Sequence, residues 1–269
     1  MKRVFTYIIV LLVSAHCFAQ SDEFTRNINV EGELVVVNGV KFKRYWYETK
    51  DFKKQTFSKT IDFTLPLLED ETVMYKIGDE LLLGEYDSRE LGQQMREEQD
   101  AQTEEIVAVL EKGNLSDSIN EDYYETVWKI VPVFVGGGYV AFVSTFSQKF
   151  ASDIPAPMWG DAGSIYELST GRRITEEDVF GKNAEQNKAV AQMLYAQLKK
   201  ILKSECENVE DVVLFNGNFY FTNKELVFMY GSFEMYYTSG VTRLSLPKKN
   251  LKPYLNVDGP LYKYWFGDK

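Results

Sequence analysis

Apolar positions recur along this chain with two different periods. In "GELVVVNGVKFKRYWYET" (32–49), two β-rich runs flank Asn38-Gly39. Both turn residues tolerate positive φ, so the pattern predicts a hairpin. "QTFSKTIDFTLPLL" (55–68) sets Phe57, Ile61, Phe63 and Leu65 among polar positions and predicts another strand. The period then changes. "ETVMYKIGDELLLGEY" (71–86) carries Met74, Ile77, Leu81 and Leu82 near helical spacing. From Ser88 to Lys112 the chain is polar, rich in Glu and Gln, and free of Pro. Leu91, Met95, Ile106, Val109 and Leu110 give it a narrow apolar stripe. This predicts a helix over about 88–112 with most of its circumference in water. "GNLSDSINED" (113–122) reads as a linker.

The second half repeats the alternation. "YYETVWKIVPVFVGGGYVAFVSTFSQKF" (123–150) has strand-like runs on both sides of Gly136-Gly137-Gly138. A phosphate cradle would need a helix after the glycines. Val140, Phe142 and Val143 read as a strand instead, so the glycines mark a hairpin turn. "ASDIPAPMWGDAG" (151–163) reads as a loop. In "SIYELSTGRRITEEDVF" (164–180) a strand, a turn at Ser169-Thr170-Gly171 and a short strand lead to a helix start. Thr175 supplies its cap, and Asp178 sits three residues on. Residues 183–207 form the clearest helix, over about 183–205. Val190, Met193, Leu194, Leu198, Ile201 and Leu202 make one face, and Asn183 stands at the N-cap. "FYFTNKELVFMY" (219–230) is a hairpin turning at Asn223-Lys224, and "VTRLSL" (241–246) is a strand stopped by Pro247. A short helix or turn follows. The aromatic tail, 258–269, has no evident partner element. The fold class is therefore α+β: antiparallel hairpins in one or two sheets, one helix packed on a face and a longer N-terminal helix beside it.

The first residues change the inventory of available chemistry. Lys2 and Arg3 precede an apolar run from Val4 to Val13, and Cys17-Phe18-Ala19 fits cleavage after Ala19. This is the pattern of a secretory signal peptide. The run is too short to span a bilayer, and no later stretch is long and apolar enough to do so. The expectation is export to the periplasm or beyond, with lipidation at Cys17 as the alternative. Cleavage removes His16, the one histidine, and leaves Cys206 as the one cysteine. An exported domain with a single thiol has no internal disulfide and relies on its core. Cys206 reads as a small filler, since Glu205 and Glu207 oppose thiolate formation. Loss of Lys2 and Arg3 takes the net charge from −10 to −12. Such acidity keeps the chain soluble, repels nucleic acid and favours a basic partner.

Ser–His and Cys–His nucleophiles and His- or Cys-ligated zinc are excluded in a chain without histidine. No Asp-x-Asp-x-Asp-Gly calcium loop occurs. No cofactor and no metal are expected. Two candidate chemistries remain. Glu234, between Phe233 and Met235, is a carboxylate in an apolar setting, and Asp161 or Asp153 is its possible partner in glycan hydrolysis. A structural Glu accepting backbone N–H groups explains the same residue. The aromatics Trp159, Tyr236, Tyr237, Tyr262 and Trp265 read as a glycan or peptide platform or as core filler. Trp159 is set apart by its place in a Pro- and Gly-rich stretch.

Leu226, Val227, Phe228, Tyr230, Phe233, Glu234, Tyr237, Gly240, Leu246, Pro247, Leu251, Pro253, Tyr254 and Leu255 stand in one C-terminal pattern. That pattern resembles the signature of a family of bacterial extracytoplasmic domains. These occur in RsiV-like anti-sigma factors, as a lysozyme receptor, and beside the catalytic domain of PdaC-type peptidoglycan deacetylases. They also occur alone, in secreted proteins of unknown function. "YELSTGRRITEEDVF" (166–180) resembles the family's other landmark, and the region around 40–112 resembles its N-terminal companion domain. With the signal peptide over 1–19 and the tail over 258–269, the resemblance implies a PdaC-like subdomain over 20–118 and an RsiV-like domain over 119–257. It departs at "DIPAPMWGDAG", where Pro157 stands in place of the His of a Gly-Gly-Ala-His stretch.

The function expected is a non-catalytic envelope module that binds an envelope glycan or a protein ligand. A lysozyme-like basic protein is implied by the resemblance alone. The candidate binding residues are Trp159, Asp161, Glu234, Tyr236 and Tyr237, with neither nucleic acid nor a transmembrane segment involved. The alternatives are a carboxylate-dependent enzyme acting on cell-wall glycan and a purely structural envelope protein.

Overall fold

The computed structural model of the chain describes residues 24–51, 58–111, 125–149, 158–202, 217–230 and 242–267. The leader, the expected linker 113–122, residues 151–157, Cys206, Glu234, Tyr236 and Tyr237 lie outside them.

Strands β1 (Phe24–Val37) and β2 (Val40–Asp51) form the first hairpin. Its turn is Asn38-Gly39, with φ of 48° and 83°. Asn38 tolerates this conformation and Gly39 has no β-carbon to oppose it. Strand β3 (Ser58–Pro66) pairs antiparallel with β2, and β4 (Glu125–Gly136) pairs parallel with β3. A parallel pair requires a long crossover. Here it carries α1 (Glu71–Leu81) and α2 (Leu91–Glu111). Asp70 caps α1, its carboxylate accepting from the Thr72 and Val73 N–H groups at 2.9 and 3.2 Å. Strands β5 (Tyr139–Lys149) and β6 (Met158–Glu167) complete a six-stranded sheet in sequential order, β1 to β6. The sheet therefore runs through both sides of position 118. The side chain of Asn38 donates to the Val135 carbonyl at 3.1 Å, tying the first hairpin to β4.

Each face of this sheet covers its own core. On one face Tyr47, Ile61 and Phe63 meet Ile77, Leu81, Leu91 and Met95. On the other, Ala141 and Ile165 meet a second layer. That layer holds α3 (Glu176–Phe180), α4 (Ala184–Leu202) and a small antiparallel sheet of β7 (Phe219–Phe221), β8 (Glu225–Tyr230) and β9 (Thr242–Pro247). Leu226 to Tyr230 are buried without interruption, as befits a central strand covered on both sides. Helices α5 (Lys248–Leu251) and α6 (Pro260–Phe266) close the layer. The fold is α+β.

Four details differ from the sequence pattern. The helical run over 71–86 stops at Leu81, and residues 82–85 turn. The expected loop 151–163 is strand from Met158 onward, because β5 offers that segment a pairing edge. The C-terminal tail has a partner: α6 sinks Leu261 and Trp265 into the second core, and the Trp265 indole N–H donates to the Thr222 carbonyl at 2.8 Å. On α4, Val190, Leu194 and Leu198 are buried, but Ile201 is 49% exposed. Among the described residues no helix is long and apolar enough to cross a membrane.

Candidate functional site

Strand β6 forms an outer edge of the large sheet. Its Gly160 pairs with Phe146 and its Ala162 with Ser144 on β5. Phe146 pairs in turn with Trp128 on β4. Residues directly opposed across strands share a face. Small residues thus lie beside two large rings, and Phe146 stays 39% exposed. A β-carbon on Gly160 would meet nothing within 4 Å. The open space is a cleft of about 590 Å³. That is within the usual range for small-molecule sites.

Trp128 is held in place. Its indole N–H donates to Ser144 Oγ at 3.4 Å, and its ring stands edge-on to Phe63 at 4.9 Å. Across the cleft the chain leaving α1 contributes Leu83 and Glu85. Leu82 is fully buried, whereas Leu83 is 75% exposed with φ of 56°. The left-handed region costs a non-Gly residue about 1–2 kcal/mol. A strained backbone therefore presents a bare isobutyl group to the cleft.

Asp161 occupies the alternate position on β6 and points to the opposite face from Gly160 and Ala162. Asp161 and Asn218 are also among the residues that line the cleft. The Asp161 side chain is only 5% exposed, and its Oδ2 accepts from Arg243 Nη2 of β9 at 2.9 Å. Its Oδ1 is buried and, among the described residues, unpartnered. A buried acceptor without a donor costs about 1–3 kcal/mol, so this atom marks a place where a partner is wanted. Burial lifts the Tyr220 phenol beside this pair above its ordinary value, against the pull of Arg243. Tyr220 therefore remains a neutral hydroxyl.

Of the residues singled out from sequence, Asp161 lies in the cleft. Trp159 is on β6, backbone-paired with Ser147, rather than in a loop. Its side chain, like Glu234, Tyr236 and Tyr237, is outside the described residues. Trp128, Phe146, Leu83 and Arg243 were not singled out. Leu83 had one visible signal, a third consecutive Leu directly before Gly84. Among the described residues no group of three His, Cys, Asp or Glu side chains is arranged to hold a metal ion.

The fold is that of DUF3298 proteins. A crystal structure of a DUF3298 family member from Bacteroides fragilis is similar with a TM-score of 0.56 and 15% identity. The match covers 91% of this chain and 98% of that one. A DUF3298 family protein from Pseudomonas aeruginosa matches with a TM-score of 0.50 and 11% identity, over 86% of this chain and 98% of that one. At these identities the likeness is one of fold. DUF3298 is a domain of unknown function and is consistent with the extracytoplasmic family that the C-terminal pattern resembles. No protein-family model matches the chain, and no curated protein matches it.

Proposed function

We propose that this chain is a non-catalytic binding module of the cell envelope, of the RsiV-like and PdaC-accessory kind. It is exported, trimmed near Ala19, and captures an envelope component or a protein ligand in the cleft at β6. One observation carries this reading. The cleft joins exposed apolar groups, Leu83 and Phe146, to a buried carboxylate with one unpaired oxygen. Apolar surface with a few fixed polar groups is what small recognition sites are made of.

Asp161 and Glu85 line the same cleft, which keeps the glycan-cleaving alternative in play. Asp161 suits an anchor better than a proton shuttle. It is almost wholly buried, and Arg243 holds one of its oxygens.

Capture from envelope extract tests the proposal. The mature protein and its Phe146→Ala variant are immobilised and the retained material compared. Retention that falls with Phe146→Ala supports the module; retention that ignores the substitution removes the cleft from the function. Turnover of peptidoglycan fragments that stops in Asp161→Asn would replace the module by an enzyme.

A further inference from the structure

We propose that the chain pairs with a second copy of itself along β1, the edge strand at the far side of the large sheet from β6, about a two-fold axis through Val35. This stands apart from whatever ligand the β6 cleft takes.

The backbone sets the requirement. Strand β1 ends the sheet, paired with β2 and, among the described residues, with no other strand. The Lys41 carbonyl accepts from the Leu67 N–H at 2.8 Å, so Lys41 turns its backbone groups toward β3. Its neighbours Val40 and Phe42 turn theirs the other way, toward Val37 and Val35 of β1. Leu34 and Val36 alternate with those bonded positions. Their N–H and C=O groups therefore point off the free edge, and among the described residues no backbone group meets them. Such an open row is a template for another strand.

The side chains leave that row unguarded. Edge strands are usually protected by a lysine, a proline or a bulge. The stretch "ELVVV" (33–37) contains none of these. It begins where the bulge of β1 ends, at Glu33, and stops at the Asn38-Gly39 turn. Leu34 and Val36 share a face, and each is 59% exposed.

The stretch is its own complement, and Val35 is its midpoint. Antiparallel pairing about a two-fold axis there sets Leu34 opposite Val36 of the second copy, and Val36 opposite Leu34. These are the residues whose backbone groups point outward, so each pair exchanges two N–H···O=C bonds. Four exposed aliphatic side chains then meet on one face. No like charges are opposed. Glu33, the one charged residue of the stretch, falls opposite Val37 of the second copy and already stands beside Arg44 on its own hairpin. The two six-stranded sheets become one, with a β6 cleft free at either end. A contact of this length is small beside a standard interface of about 1,600 Å². The negative charge of each copy also opposes it. The dimer is therefore weak and depends on concentration.

An extended segment of another protein is the competing occupant. It would use the same backbone groups, but it would have to bring the matching apolar pair that a second copy already carries.

Sedimentation velocity on the mature chain, from micromolar into millimolar concentration, tests the proposal beside the double variant Leu34→Lys/Val36→Lys. The parent should move from monomer toward dimer as concentration rises, and further when salt screens the net charge. The double variant sets Lys against Lys in both pairs, so its dimerisation should be at least about tenfold weaker. Both positions are exposed, and thermal melts check that the variant is folded. Two single-cysteine variants in a Cys206→Ser background test the register. Val35 faces itself in a non-hydrogen-bonded pair, where Cα atoms approach to about 4.5 Å, within the span of a disulfide. Val35→Cys should cross-link under mild oxidation. Val37→Cys, which faces Glu33 of the second copy, should not. A dimer indifferent to the double substitution overturns the proposal, and equal cross-linking of the two cysteines overturns the axis at Val35. A parent that stays monomeric throughout also overturns it. An envelope protein captured by that monomer and lost from the double variant would then assign the edge to a foreign strand.

Discussion

Gly163 lies directly beneath the backbone of Phe219. A β-carbon on Gly163 would stand 2.7 Å from the Phe219 carbonyl carbon and 3.1 Å from its Cα. This is where β7 of the small sheet seats on β6 of the large one, and the contact is made by backbone that has little freedom to retreat. Gly163→Ala should therefore destabilise the protein by about 1–3 kcal/mol, the usual range for overpacking. In a chain of this size each kcal/mol lowers Tm by about 2–4 °C. A melt followed by circular dichroism measures it. An unchanged Tm would mean that the two sheets do not approach this closely.

The start of α3 is a reciprocal cap. The Thr175 hydroxyl accepts from the Asp178 N–H at 3.3 Å, and the Asp178 carboxylate accepts from the Thr175 N–H at 2.8 Å. Thr175→Ala should cost about 1 kcal/mol. Burial alone would raise the Asp178 carboxyl, but the Thr175 N–H, the Arg172 guanidinium and the Thr175 hydroxyl together hold it below the usual carboxylate range. A depressed folded-state value means that the charged form stabilises the fold. That contribution is present above about pH 4, the unfolded value. It is lost as pH falls through the lower folded value. Asp178→Asn should remove this segment of the acid dependence, read from urea midpoints between pH 2 and 7.

Two residues away the sign reverses. Glu176 is pushed up by burial, only partly offset by the Gly217 N–H that it accepts at 3.0 Å. The neutral carboxyl is the form that folding favours. Its contribution is complete below about pH 4.3, the unfolded value, and disappears as pH rises through the raised folded value. Glu176→Gln keeps an acceptor for Gly217 and carries no charge. It should be more stable than the parent at pH 7 and equal to it near pH 3. Equal midpoints at both values would show that the carboxylate is not disfavoured at this position.

Local chemistry was legible in the sequence, and convergence was not. Asn38-Gly39 and the Thr175–Asp178 cap are written within four residues, so their geometry follows from the residues themselves. Strand β6 is different. "MWGDAG" has no β-branched residue and two glycines, and it is extended because β5 pairs with it. The cleft was hidden by a slip of one residue. Counted outward from the turn, where Gly136 opposes Tyr139, Trp128 falls opposite Ser147. A bulge between Pro132 and Phe134 moves the register by one and brings Phe146 opposite Trp128 instead. Arg243 reaches Asp161 across 82 positions, a separation that no local pattern encodes.

Leu83 is the residue at which stability and recognition should separate. It lies in the left-handed region, is three-quarters exposed, and follows a Leu82 that is fully buried. Leu83→Gly removes a strain of about 1–2 kcal/mol. It adds unfolded-chain entropy worth about 0.5–1 kcal/mol. Little apolar burial is lost, so the net change should lie between zero and about 1.5 kcal/mol in favour of the fold. Leu82→Ala, by contrast, empties a core position and should cost about 2–5 kcal/mol. In the capture assay Leu83→Gly should retain less ligand than the parent, because the side chain facing Phe146 across the cleft is gone. A Leu83→Gly protein that melts lower than the parent would show that Leu83 supports the fold, and its exposure would then have no bearing on the ligand. A protein that melts at or above the parent and captures less would assign the strained backbone to recognition.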